Sequence, residues 1–177
     1  MHPILKIRAN TLHLHLAPSA ELSTALLATI EPIAPAANVA EAERFTLSLG
    51  DQIVTDHKTG LMWPVYESES SMDADALDRY IAAFRLGGFS DWFNPSAEQR
   101  QSITDLSRYA PALFPPLKSR SNGWEWTCTE VASLSKNNAG VPAALWQVNG
   151  GYGGLPSGYR YSLAFARPCR FVARAGQ

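Results

Sequence analysis

The stretch VTDHKTGLMW, residues 54–63, predicts two strands joined by a tight turn. Gly60 supplies the positive φ that such a turn requires, and the Asp56 carboxylate can accept hydrogen bonds within it. An alternating segment, RFTLSL, begins at Arg44, and a Gly-Asp pair marks a turn between the two segments. The sequence therefore predicts a series of short strands that starts at residue 44.

Two helices are predicted after these strands. The segment MDADALDRYIAAFRLGG, residues 72–88, has acidic residues in its first turn, and Gly87 or Gly88 ends the helix. Its apolar stripe consists of Leu77, Tyr80, Ile81 and Phe84. Asn94 and Pro95 form an N-cap and N1 pair, which starts a second helix that extends through SAEQRQSITDLSRY.

The remainder of the chain lacks helical periodicity. GWEWTCTEV, AALWQV and ARPCRFVAR are strand-like, and loops rich in Gly, Ser and Asn join them. Alternation places Trp124 and Trp126 on one strand face, and Cys128 follows them. No internal repeat is evident. The order of strands, two helices and further strands predicts an α+β fold.

The first 43 residues differ in composition and are interpreted as a small N-terminal appendage. TLHLHLAP alternates like a half-buried strand, SAELSTALLATIEP predicts a short helix, and EPIAPAANVAEAE has the composition of a linker. The prediction divides the chain into residues 1–43 and a domain of residues 44–177. His13 and His15 share a strand face and could bind a metal where chains meet at a symmetry axis. Two exposed histidines are the simpler interpretation, because one chain offers too few ligands.

The overall composition argues against several classes of partner. The chain has 177 residues and a net charge of −1 without a basic run, which disfavours nucleic acid and anionic membranes. No stretch approaches the roughly 18 apolar residues of a membrane span. The first ten residues do not form a signal peptide, because charge and polarity interrupt any apolar region. Cys128 and Cys169 leave two possibilities open: one disulfide, or two free buried thiols.

Several segments together resemble one known domain family. VTDHKTGLMW, GGFSDWFNPSAEQ, WEWTCTE, ALWQVN and RPCRFV follow the order of its motifs. Those motifs are a D-x-x-T-G-L-x-W hairpin, a G-x-x-D-W-R-L-P-x-x-x-E helix start, a W-T-S-T-like strand and a closing V-R-C-V-R-like strand. The family is named after the C-terminal domain of Lcl, a collagen-like bacterial adhesin. The resemblance covers residues 44–174 and departs from the family pattern at Phe93-Asn94, where the family has Arg-Leu.

The resemblance implies a C-type-lectin-like fold, in which two helices pack on small antiparallel sheets. This fold group also holds the formylglycine-generating enzymes and the variable proteins of diversity-generating retroelements, such as phage tropism determinants. Trp63, Asp91 and Trp92 would then lock the packing and cap the backbone before a helix. Three kinds of site known in this fold group have no counterpart in this sequence. They are the closely spaced cysteine pair of those enzymes, the histidine iron site of the related sulfoxide synthases and the calcium motifs of true C-type lectins. The chain is therefore expected to be non-enzymatic, without a metal or cofactor.

The segment WQVNGGYGGLPSGYRYSLAF, residues 146–165, is the candidate binding surface. It contains five glycines and three tyrosines, and is longer than a hairpin connection requires. Tyrosines supply stiff amphipathic contact area, and tyrosine and arginine are frequent interface hot spots. In the retroelement variable proteins, the corresponding last part of the chain recognises the partner. The candidate ligand-binding residues are Trp146, Gln147, Asn149, Tyr152, Tyr159, Arg160 and Tyr161. The alternative is an ordinary long loop whose tyrosines pack back onto the sheet.

These features predict a recognition module, a receptor-binding protein or adhesin that binds a cell-surface protein or glycan. Host attachment at a bacteriophage tail is the example that the sequence suggests, with assembly in the bacterial cytoplasm and release in the virion. Residues 1–43 would then anchor or oligomerise the protein, as a homotrimer. The alternatives are an intracellular regulatory or scaffolding domain that binds a partner protein, and a formylglycine-generating-type enzyme with an altered site.

Overall fold

The computed structural model describes residues 44–137 and 139–173. They form an α+β domain with two helices and two small antiparallel sheets, which confirms the predicted fold class. The strands are β1 (Phe45–Ser48), β2 (Ile53–Asp56), β3 (Leu61–Pro64), β4 (Trp124–Glu130), β5 (Ala144–Asn149), β6 (Ser157–Tyr159) and β7 (Arg170–Phe171). The helices are α1 (Ala74–Ala83) and α2 (Ala97–Gln101). The strand, helix, linker and His13-His15 interpretations of residues 1–43 lie outside the described residues.

The first sheet has the strand order β1-β2-β3-β7 and contains the predicted turn. Gly60 has a φ of +69°, and the Asp56 carboxylate accepts hydrogen bonds from the Lys58 amide and the Thr59 hydroxyl. Arg44 binds the same carboxylate with two nitrogens, at 2.9 and 2.7 Å. Burial alone would raise the pKa of Asp56, but these hydrogen bonds outweigh it and lower the pKa. The Asp and Thr of the hairpin motif therefore fix the turn that aligns β2 with β3.

The second sheet, in the order β4-β5-β6, lies between the two helices. On one face, Leu77 of α1 packs in a buried cluster with Trp126 and Leu145, and Trp124 borders that cluster. On the other face, Arg100 of α2 binds Glu125 of β4. The central strand β5 is therefore paired at both edges, and α1 and α2 cover its two faces.

Helix α1 begins as predicted but ends earlier. The Asp73 side chain accepts a hydrogen bond from the Ala76 amide at 2.8 Å and caps the first turn. The helix stops at Ala83 because Phe84 is extended, so the prediction that a glycine ends it is wrong. Gly87 and Gly88 have positive φ in a separate turn that follows the helix.

Helix α2 differs from its prediction at both ends. Its N-cap is Ser96, whose hydroxyl accepts from the Gln99 amide while the Gln99 side chain accepts from the Ser96 amide. This reciprocal capping box displaces the predicted Asn94-Pro95 start. The helix ends at Gln101 because the following chain turns, and Thr104 then bridges Leu113.

Two further expectations are corrected in detail. Cys128 does not follow Trp126 into the core, because the pairing of β4 with β5 changes register after Trp126 and leaves Cys128 exposed. Trp92 is buried as expected, but Asp91 does not cap the helix. Asp91 instead binds Arg170 of β7 at 2.7 and 3.0 Å, and this hydrogen bonding lowers the pKa of Asp91. The Asp-Trp pair thus ties the last strand to the segment before α2.

The last segment of the chain connects the two sheets. The Phe165 carbonyl accepts from the Trp126 amide at 2.9 Å, beside β4. Four residues later, Cys169 exchanges two backbone hydrogen bonds with Phe93, and the chain then enters β7 beside β3. In the part of the chain that the structure describes, no helix combines the length and apolar character needed to cross a membrane.

Candidate functional site

The candidate surface includes a pair of stacked tyrosines at the end of β6. The Tyr159 and Tyr161 rings are nearly parallel, with a 3° angle between their planes and 5.4 Å between their centroids. Tyr159 is 49% exposed and Tyr161 78% exposed. The Ser162 amide donates to the Tyr159 carbonyl at 2.8 Å, so a local turn holds the backbone that carries both rings. We call Tyr159 and Tyr161 the tyrosine pair.

Arg160 lies between the two tyrosines in sequence but binds helix α1. Its guanidinium donates to Asp75 at 2.6 Å and to Asp78 at 3.3 Å. Its carbonyl accepts from the Ala74 amide at 2.9 Å, at the start of the same helix. The hydrogen bond with Asp75 raises the pKa of Arg160, and the Arg160 partner lowers the pKa of Asp75. Arg160 therefore fastens the tyrosine pair to α1 and keeps part of its charge at the surface.

The two polar candidates on β5 are buried. Asn149 is 7% exposed, and its side-chain oxygen accepts from the Gly151 and Tyr152 amides, which shapes the turn after the strand. Gln147 is 5% exposed and lies against Gly158, where an added Cβ would clash with the Gln147 side-chain amide. Neither side chain faces solvent, because β5 is covered on both faces.

The other two aromatic candidates, Trp146 and Tyr152, do not contribute to the surface formed by the tyrosine pair. Trp146 is half-buried and lines a separate depression beside α2. Tyr152 is 53% exposed and packs edge-on against Trp124, with 5.8 Å between the ring centroids. Tyr152 follows the end of β5, whereas Tyr159 pairs with Ala144 at its start. A strand of six residues spans roughly 17 Å, so the structure separates Tyr152 from the tyrosine pair.

A second exposed region surrounds Tyr152 and was missed from the sequence. The Ala110 amide donates to the Gly151 carbonyl at 2.8 Å, which brings the loop after α2 against the loop after β5. Leu106 and Tyr109 on that loop are 78% and 80% exposed. The sequence predicts both residues in the second helix, but α2 ends at Gln101 and they lie in the following loop.

The interior contains a charge cluster that the sequence interpretation also missed. Its members are Glu67, Arg100, Glu125 and Arg167, and each is at most 2% exposed. Arg167 donates to both carboxylates, at 3.0 Å to Glu67 and at 2.9 and 3.1 Å to Glu125. Arg100 binds Glu125 from the α2 side at 2.6 Å. The two positive and two negative charges balance, so the cluster joins both sheets and α2 without net charge.

The environment of each carboxylate in this cluster is well defined. Burial alone would raise the pKa of Glu125, but the charges and hydrogen bonds of Arg100 and Arg167 outweigh it and lower the pKa to about 2. Glu67 accepts from the Ser119 and Ser121 hydroxyls as well as from backbone amides. Glu125 is thus held ionised, and donors of the domain itself occupy both carboxylates.

The cysteines are both free, and the pairing left open by the sequence is absent from the structure. Cys169 is buried and Cys128 is exposed. Burial raises the pKa of the Cys169 thiol, which disfavours the reactive thiolate. Within residues 44–137 and 139–173, no group of three or more His, Cys, Asp or Glu side chains is arranged to hold a metal ion.

The family model of the Lcl C-terminal domain matches residues 52–170, which is more than half of the chain. The match includes both helices, the four members of the charge cluster and the whole of residues 146–165. No curated protein was found to match the chain.

Proposed function

The chain belongs to the Lcl C-terminal domain family, and we propose that it is a non-enzymatic recognition module with a C-type-lectin-like scaffold. In this proposal the tyrosine pair binds a receptor at a cell surface. The single observation that carries the proposal is the exposure of two stacked rings on a backbone that Arg160 fastens to α1.

The physical argument starts from the energetics of binding. A tyrosine ring offers a large contact area with few rotatable bonds, so little conformational entropy is lost when a partner covers it. Here the rings are already stacked and the backbone is held by the Ser162 turn, which lowers the ordering penalty further. The two hydroxyl groups and the Arg160 guanidinium add hydrogen-bond donors at the edge of the same surface.

The buried charges support a binding function over catalysis. A catalytic acid or base has to reach a reacting atom from within a pocket. The four charged side chains of the cluster are instead buried and bind one another. The Cys169 thiol is also unsuited as a nucleophile, because burial raises its pKa.

The receptor-binding proposal has a direct cellular test. Labelled full-length protein is incubated with a panel of bacterial strains, and binding is compared with that of a Tyr159→Ala/Tyr161→Ala variant. Tyr109→Ala is the matched control, because Tyr109 is as exposed as Tyr161 but lies on a different loop. We expect strain-selective binding that falls at least tenfold in the double variant and stays unchanged in the control.

Two other results would contradict the proposal. If no strain binds, a partner protein inside the cell becomes the better explanation. If both variants bind like the native chain, the tyrosine pair is not the recognition surface.

The attachment proposal extends to the arrangement of chains. A protein that attaches a phage tail or another surface structure to a host gains avidity from several copies. We propose that residues 1–43 anchor the domain and assemble it as a homotrimer. Light scattering of the full chain and of residues 44–177 should then give a trimer and a monomer; two monomers would contradict the assembly.

A further inference from the structure

An open groove lies between the segment that follows β3 and the second half of α1. Its volume is about 660 Å³, within the range of ligand-binding clefts. Its apolar wall includes the buried Pro64 and Val65 and five half-buried side chains: Tyr66, Met72, Tyr80, Phe84 and Leu86. We call it the Tyr66 groove. It is formed by residues that the candidate binding surface does not include.

One edge of the Tyr66 groove carries a cation in a fixed position. The Arg120 guanidinium lies over the Tyr66 ring, 4.3 Å from its centroid, and donates to the Glu67 carbonyl at 2.6 Å. Its backbone amide also donates to the buried Glu67 carboxylate at 2.7 Å. The remaining guanidinium N–H groups have no acceptor within the described residues. Arg120 is therefore oriented by the domain and still has donors free for a ligand.

Two acidic side chains also line the groove, and neither is paired with Arg120. Asp51 and Glu69 are exposed where they line the groove, and neither forms an ion pair within residues 44–137 and 139–173. Burial and the nearby Glu69 charge raise the pKa of Tyr80, and Arg120 opposes this effect. Glu69 and Arg120 thus both influence the Tyr80 hydroxyl, although they do not form an ion pair with each other.

We propose that the Tyr66 groove binds an extended peptide segment of a partner protein that carries apolar side chains and one basic side chain. The apolar wall would bury the apolar side chains, and Glu69 would pair with the basic one. Main-chain carbonyls of the peptide would accept from Arg120 and from the Tyr66 and Tyr80 hydroxyls, which have no partner within the described residues.

The composition of the wall favours a peptide over a sugar. Met72 and Leu86 present aliphatic surface that offers no hydrogen bond to a sugar hydroxyl. Desolvating a hydroxyl without a new partner is unfavourable, whereas an apolar peptide side chain gains free energy at the same place. This site is independent of the tyrosine pair, because Tyr80 and Phe84 lie toward the C-terminal half of α1 and the Arg160 partners lie in its first half.

The test uses the full chain and a displayed library of random eight-residue peptides. We expect the selected peptides to share a Lys or Arg next to apolar residues. A synthetic copy is then titrated by fluorescence anisotropy against the native chain, a Glu69→Gln variant and a Tyr161→Ala control. Glu69→Gln should weaken binding at least fivefold, and Tyr161→Ala by less than twofold. Because Glu69 is exposed, its replacement should leave the melting temperature unchanged.

A second peptide shows whether Glu69→Gln weakens binding through the loss of one ion pair or through a general loss of affinity. When the basic residue of the peptide is replaced by glutamine, the native chain and Glu69→Gln should bind it equally well. The proposal is overturned if no peptide is enriched, or if the selected peptides lack a basic residue. It is equally overturned if Glu69→Gln binds them normally, or if a glycan panel shows sugar binding that Glu69→Gln or Tyr80→Phe abolishes.

Discussion

The buried charge cluster and the tyrosine pair contain similar chemical groups in opposite environments. In the cluster, the five N–H groups of Arg167 are shared among six acceptor oxygens, and the side chain is shielded from water. At the tyrosine pair, Arg160 binds two exposed carboxylates, and the rings beside it face solvent. The first arrangement fixes the positions of both sheets, whereas the second holds a surface in place and leaves its rings available. We infer that stability and recognition reside in different parts of this domain.

The largest expected effect on stability comes from removing Arg167. Arg167→Ala leaves Glu67 without a counter-charge in the interior and leaves Glu125 with Arg100 alone, which should lower the free energy of unfolding by about 3–5 kcal/mol. Urea unfolding followed by tryptophan fluorescence measures this change. Arg167→Lys keeps the charge but not the planar set of donors, so it should give an intermediate loss. A loss below about 1 kcal/mol for the alanine variant would contradict the assigned role of the cluster.

The second effect is a dependence of stability on pH. The pKa of Glu125 falls from 4.5 to about 2 on folding, which corresponds to about 3 kcal/mol at roughly 1.36 kcal/mol per pKa unit. Because the folded-state pKa is the lower one, this stabilisation is present above pH 4.5 and is lost as the pH falls toward 2. Unfolding measured between pH 6 and pH 2 should show this decline.

Glu125→Gln is the control for the pH dependence. Its stability should be lower at neutral pH and should fall less steeply on acidification, because the amide does not titrate. Equal slopes for the native chain and the variant would assign the decline to other carboxylates, among them Asp56, whose pKa is also lowered.

The smallest expected effect on stability is that of the tyrosine pair. Tyr159→Ala/Tyr161→Ala removes one ring that is half-exposed and one that is mostly exposed, so the free energy of unfolding should change by no more than about 0.5 kcal/mol for each ring. The same urea titration measures it. A loss comparable to that of Arg167→Ala would show that the pair is part of the packed structure and would remove the distinction between the two regions.

The sequence predicted the features that depend on local geometry. Gly60 and Asp56 identified the first hairpin because positive φ and side-chain capping are local properties. The true start of α2 was also visible, since Ser96 and Gln99 have the spacing of a capping box. The neighbouring Asn94-Pro95 pair fits a competing N-cap pattern, so local sequence alone does not decide between the two starts.

The features that were missed depend on contacts between distant parts of the chain. Glu125 lies between two tryptophans in a strand, so alternation places it on the opposite face, and nothing local shows that this face is buried. Its partners Arg100 and Arg167 are 25 and 42 residues away. The sequence places Gln147 and Asn149 in the candidate binding surface as polar neighbours of the tyrosines, but both are buried. Helices cover both faces of β5, and no local pattern shows this. The ion pair from Arg160 to Asp75 likewise joins residues 85 positions apart.

The most direct test of the central claim is site-specific photocrosslinking on living cells. Tyr161 is replaced by p-benzoylphenylalanine in one sample of the full chain and Tyr109 in another, and each is irradiated on a strain that the native protein binds. We predict a covalent adduct with a cell-surface molecule from position 161 and none from position 109. Adducts of equal yield from both positions, or an adduct from position 109 alone, would contradict the assignment of recognition to the tyrosine pair.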